Sequence, residues 1–227
     1  MSRTILVIGA SGSGKSSSMR TVDPNTTFLF NTATKDLPFK GARRMFTPYN
    51  KETKKGNMIS RLSNPTLLCE SIKFLAKERP DIKLIVIDDF QYVIGFENFN
   101  RALEKSYDKF TEMAQAYWRI IDTAQNIDRN DLTFVFLSHS EYETKNGIQI
   151  EKVKTIGKML DSQMVVEGLF TCVLLTRCEV DNKKINHYFI TNNIGDSTAK
   201  SPDGMFDYRI PNDLNYVIDR YNKYFEE

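Results

Sequence analysis

Ile5-Leu-Val-Ile-Gly9-Ala-Ser-Gly-Ser-Gly-Lys-Ser16 decides how the rest of the sequence is read. Ile5 to Ile8 form a short, continuous apolar run that suits a central strand of a parallel sheet buried on both faces. The next eight residues fit G-x-x-x-x-G-K-[ST], a loop whose backbone N–H groups cradle a polyphosphate. In that pattern Lys15 reaches the β and γ phosphates and the Ser16 hydroxyl ligates magnesium. Gly9, Ala10, Ser11, Gly12, Ser13, Gly14 and Ser17 complete the phosphate contacts, and a helix starting near Lys15 would add the positive end of its dipole. A Gly/Ser-rich turn with a solvated lysine is the plain alternative. It does not account for the loop's place between a buried strand and a helix start.

A second element follows at Lys83-Leu-Ile-Val-Ile-Asp-Asp89, where four apolar residues end in paired carboxylates. At the tip of a buried strand beside a phosphate loop, the first carboxylate, Asp88, is placed to hold magnesium. Asp89 either polarises the attacking water or only caps the following turn. A further strand over 132–137 ends in Ser138-His139-Ser140-Glu141. A polar residue at that tip, Ser138 or His139, can contact the γ phosphate and report its loss. His139 is equally readable as a satisfied structural histidine.

Around these two walls the chain alternates. Ser16 to Thr21 read as a short helix stopped at Asp23-Pro24, and Phe28 to Asn31 as a second strand. Asn64-Pro65 caps a helix with Leu67, Leu68, Ile72 and Leu75 on one face. Residues 96–107 read as a loop and helix start, and residues 107–127 as the longest helix, whose aromatic and methionine stripe is core. Residues 143–159 read as a loop or β-ribbon carrying Lys145, Lys152, Lys154 and Lys158. Strands over 165–176 and 184–191, joined near Asp181-Asn182, form a hairpin, and Pro211 to Phe225 closes the domain as a helix. One α/β domain over residues 1–227 is expected, a mostly parallel sheet flanked by helices with a C-terminal β-hairpin.

Composition bounds the partners without choosing one. A net charge of +2 supplies little general attraction for nucleic acid, although a local basic stripe remains possible. Lys40, Arg43, Arg44, Lys51, Lys54 and Lys55 lie near Phe46 and Tyr49, and the stretch reads either as a phosphate-binding, base-stacking surface or as a solvated charged loop. Cys69, Cys172 and Cys178 lack paired close spacing, which supports neither a disulfide framework nor a zinc site. No apolar run approaches the roughly 18 residues of a membrane span, and Met1 to Arg3 lead straight into a strand, so a cytoplasmic protein is expected.

Taken together, the two walls, the polar strand tip and the late hairpin resemble the RecA-like ATPase core. More narrowly, the loop through Arg20, Lys35-Asp-Leu-Pro-Phe-Lys-Gly41, Val86-Ile-Asp-Asp89, Ser138-His-Ser140 and Ala199-Lys-Ser-Pro-Asp-Gly-Met-Phe206 resemble the small AAA-domain ATPases of bacteriophages. Some of that group are linked to single-strand annealing and recombination. The resemblance implies ATP and Mg2+ as ligands, DNA, single-stranded in particular, as partner, and a homo-oligomer in which a neighbour's lysine enters the site. Lys200 is the best match for that lysine, with a solvated loop lysine as the alternative. RecA-like enzymes carry a catalytic glutamate at the end of the second strand, where this chain has Asn31 and Thr32. The expected function is a magnesium-dependent ATPase acting on DNA in phage recombination or replication. A nucleotide or small-molecule kinase and a nonenzymatic nucleotide-switched module are the alternatives.

Overall fold

The apolar run of the first strand is buried on both faces because its side chains alternate between two cores. In a computed structural model that describes residues 1–155 and 164–226, β1 spans Arg3–Gly9. Leu6 and Ile8 point into one hydrophobic cluster, and Ile5 and Val7 into the other. All four have no exposed surface, and burying each contributes roughly 1.5–3 kcal/mol.

It belongs to a run of six parallel strands, β3 (Met58–Ser60), β2 (Thr27–Asn31), β4 (Leu84–Asp88), β5 (Thr133–Lys145), β1 and β7 (Cys172–Asp181). β8 (Lys184–Ile190) and β9 (Arg209–Pro211) extend the edge antiparallel, giving the order β3-β2-β4-β5-β1-β7-β8-β9, and β6 (Ile148–Val153) pairs with β5 off this path. A mostly parallel sheet flanked by helices, with an antiparallel hairpin beside it, is the α/β architecture expected from the sequence. One strand, β5, separates the loop strand from the acidic strand. The β7–β8 hairpin turns through Asn182 and Lys183, both with positive φ, as a two-residue turn of that hand requires.

A short helix, α1 (Ala42–Met45), follows β2, and longer helices cover both faces. On one lie α2 (Pro65–Glu78), α3 (Gln91–Asn100) and α4 (Asp108–Gln125), which bury Leu68, Ile72, Val93, Tyr117 and Ile120. On the other the C-terminal helix, Leu214–Glu226, buries Leu214, Val217 and Tyr221 beside Met19. Asn64 caps α2 by accepting from the Leu67 amide at 3.0 Å. Leu67 itself is half exposed, and Cys69 takes the inward place expected for it.

One helix type and three boundaries differ from the sequence expectation. The helix after the phosphate loop is a six-residue 3-10 turn, Ser16–Thr21, so its dipole is short. α3 occupies residues 91–100, part of which reads as loop, because it starts without a side-chain cap. β5 runs past Leu137 to Lys145, since β6 takes over its pairing at Ser140. β7 begins at Cys172 rather than Val165, and a 3-10 turn at Val166–Leu169 precedes it. The expected ribbon is present over 133–153, whereas Gly157, Lys158 and Met159 lie outside the described residues.

Both aromatics of the basic stretch take part in packing. Phe46 is buried, and Tyr49 packs edge-on against Phe28 with ring centroids 5.4 Å apart. Arg43 pairs with Asp36 and Lys54 with Glu78.

Candidate functional site

The carboxyl ends of β1, β2, β4 and the parallel part of β5 meet at one edge of the sheet, where open α/β sheets bind ligands. Gly9 is level with His139, and Asn31 with Asp88. The phosphate loop leaves this edge and is clamped from the hairpin side. A Cβ at Gly9 would land on Thr176 Oγ1, which contacts Ser13 Oγ and donates to the Ile8 carbonyl at 3.1 Å. Gly14, at φ 109°, leaves room for the His187 ring, which a Cβ there would meet at 2.8 Å. His187 Nδ1 donates to the Ser13 carbonyl at 2.9 Å, and Asn212 Nδ2 to the Gly14 carbonyl at 3.2 Å. The loop is thus held open by β7, β8 and the approach to the C-terminal helix.

Lys15 and Ser16 then face the acidic strand. Lys15 is buried, not solvated, and its Nζ donates to the Gly9 and Ala10 carbonyls, each at 2.8 Å. Burial pushes its pKa down to about 8, against the opposing pull of Asp89 and Asp88. Ser16 Oγ donates to Asp88 Oδ1 at 2.9 Å, and the Asp89 amide donates to the same oxygen at 3.1 Å. Asp88 has no exposed surface, and its Oδ2 has no hydrogen-bond partner among the described residues. An orphaned carboxylate oxygen beside a serine hydroxyl is a hard-oxygen donor set of the kind magnesium takes, most of whose shell is water and phosphate. No cluster of three or more His, Cys, Asp or Glu able to hold a metal occurs among the described residues.

Burial, helped by the neighbouring Asp89, pushes the Asp88 carboxyl up to about 6. The folded chain therefore holds an extra proton between the ordinary value of 3.8 and about 6, and stability falls as pH rises through that window. At ~1.4 kcal/mol for each pH unit of that window, the ionised Asp88 costs roughly 3 kcal/mol above pH 6. Asp88→Asn should match the nucleotide-free wild type near pH 4 and exceed it by roughly 2–3 kcal/mol at pH 7 in urea unfolding. An Asn variant less stable than wild type at both pH values would contradict this reading of the burial.

Asp89 is held differently. It is 1% exposed and sits at φ 58°, a left-handed conformation that aspartate tolerates better than most residues. Lys35 Nζ lies 2.5 Å from its Oδ2, and His139 Nε2 lies 3.5 Å from its Oδ1. Burial alone would raise its carboxyl, but His139 and Lys35 outweigh it and hold the group below its ordinary value. His139 is further placed by its amide, which donates to Gln91 Oε1 at 3.1 Å. A cavity of about 390 Å³ opens between the loop and these groups, lined by Ser11, Gly12, Lys15, Ser16, Lys35 and His139 among others.

The structure thus brings Lys15, Ser16, Asp88, Asp89 and His139 together. Lys200 lies apart from them. Its backbone pairs with Val173, which is level with Leu6 in the middle of β1, so it does not join the site of its own chain. β2 ends in Asn31. This residue turns its Nδ2 to the Lys35 carbonyl at 2.8 Å. Sequence reading missed Lys35, Thr176 and His187 as parts of the site. Lys35 left a weak signal, four residues past the end of β2 in the segment facing the loop, whereas Thr176 and His187 arrive only through the hairpin's pairing.

No protein-family model matches the chain, and no curated protein matches it. Among solved structures it is similar to a KaiC-like protein, PH0186, from the hyperthermophilic archaeon Pyrococcus horikoshii OT3, with 13% sequence identity and a TM-score of 0.49 over 83% of this chain and 77% of that one. At that level of likeness, function has to be inferred from this chain's own residues.

Proposed function

We propose that this chain is a magnesium-dependent ATPase. The observation that carries the proposal is the Ser16–Asp88 hydrogen bond beside an orphaned Asp88 oxygen, directly under a glycine loop whose lysine is buried and turned onto the loop's own carbonyls. Magnesium, when bound, would offset the charge of the phosphate oxygens. Ser16 and Asp88 would hold it. Lys15 would leave the Gly9 and Ala10 carbonyls to neutralise phosphate charge. Asp89, kept ionised by His139 and Lys35, would orient the attacking water, and His139 would contact the terminal phosphate.

We extend the proposal to a homo-oligomeric enzyme acting on DNA in phage recombination or replication, with Lys200 reaching a neighbour's site. The support is the motif resemblance to phage AAA-domain ATPases. Among the described residues, no helix is long and apolar enough to cross a membrane. Lys54 and Lys152 are engaged in ion pairs with Glu78 and with Glu141 and Glu143, so DNA contacts would fall to exposed residues such as Lys55 and Lys154. Filter binding of single-stranded and duplex DNA, with and without ATP, tests this part.

One observation favours the nonenzymatic module, since Lys35 occupies the Asp89 oxygen that water would need. Release of ADP and phosphate from Mg·ATP without any added acceptor supports the ATPase. ADP formed only when an acceptor is supplied would mark a kinase, and tight ATP binding with no ADP would mark the module.

A further inference from the structure

Lys35 belongs to none of the motifs that mark the site, yet its ammonium touches the carboxylate assigned to water. Its backbone is fixed, because Asn31, level with Asp88, donates to the Lys35 carbonyl. Its side chain is free to move by comparison. It is 46% exposed on a flexible four-carbon stem, and it lines the cavity that also holds Lys15, Ser16 and His139. Asp89 cannot follow it, being buried in a left-handed conformation with its amide tied to Asp88 Oδ1.

We propose that Lys35 is a terminal-phosphate contact supplied by the chain itself, and that its ion pair with Asp89 is a latch that a triphosphate opens and a diphosphate leaves shut. The inference rests on the ATPase reading and says what that site discriminates. A terminal phosphate carries more negative charge than one carboxylate and offers three acceptor oxygens, so an ammonium that can reach both prefers it. When Lys35 leaves, Asp89 keeps His139 on Oδ1, and Oδ2 becomes an open acceptor for water. A diphosphate gives the lysine no second partner at that place. Asp89 Oδ2 then stays covered, and the site is idle until a triphosphate returns.

The test compares binding of ADP and of the non-hydrolysable β,γ-imido analogue of ATP, both with magnesium, by titration calorimetry. Lys35→Met should weaken the imido analogue about tenfold, the loss of one charge-assisted hydrogen bond, and leave ADP within about twofold. Lys35→Arg should retain most of the preference. Asp89→Asn, which removes the competing carboxylate charge, should tighten the analogue and leave ADP unchanged. Equal weakening of both ligands by Lys35→Met, or no weakening of either, overturns the role of Lys35 while wild-type binding keeps the ATPase reading intact. A wild type that binds neither ligand overturns both.

Discussion

Lys15→Ala should lower ATP turnover by at least about 10²–10³-fold, the effect of deleting one preorganised charge from a phosphoryl-transfer site. Stability should move far less. The burial that pushes the Lys15 pKa down to about 8 means that the folded chain carries this charge at a penalty, ~1.4 kcal/mol for each pH unit between the ordinary value of 10.5 and about 8. Removing the ammonium relieves that penalty and gives up the bonds to the Gly9 and Ala10 carbonyls together with the packing of the stem, losses of similar size. Phosphate release and thermal unfolding, measured on the same preparation, check both halves. Unchanged turnover in a folded variant would sink the ATPase assignment.

Asp89→Asn should separate chemistry from binding. If this carboxylate orients water, turnover should fall about 10²–10⁴-fold with affinity for Mg·ATP kept or increased. Asn is the suitable replacement, since it tolerates the left-handed backbone at φ 58° and keeps the side-chain shape. Asp88→Asn should do the reverse in order of cause, weakening magnesium-dependent binding first because Ser16 and Asp88 form the donor pair. Single-turnover kinetics beside equilibrium binding distinguishes the two. Equal losses of affinity from both changes would contradict the division between the neighbouring carboxylates.

The parts of this site legible in the sequence are those whose signals are local. Gly9 to Ser16 carry their meaning in eight consecutive residues, and Leu84 to Asp89 in an apolar run with a charged end. The clamp on the loop is not local. Thr176 and His187 reach Ser13 and Gly14 from more than 160 residues away, and only the register of β7 against β1 and β8 puts them there. Lys35 is intermediate, close in sequence to β2 yet meaningful only through a contact with Asp89. Strand ends failed for a related reason. The polar residues after Leu137 look like a strand's end, but β6 supplies partners and β5 continues, so His139 sits where parallel pairing stops rather than where the strand does. α3 begins at an uncapped Phe90–Gln91 step, and its burial of Val93 and Ile94 against α4 replaces the missing local signal.

A crystal structure with magnesium and the β,γ-imido analogue of ATP would decide the nucleotide's place outright. The phosphates should lie in the Gly9–Ser16 loop, with Lys15 turned away from the Gly9 and Ala10 carbonyls toward them, and a metal bonded to Ser16 Oγ with Asp88 in its coordination or water shell. Nucleotide bound elsewhere, or a metal on Asp89 with the Ser16–Asp88 hydrogen bond still closed, would refute the magnesium-dependent site.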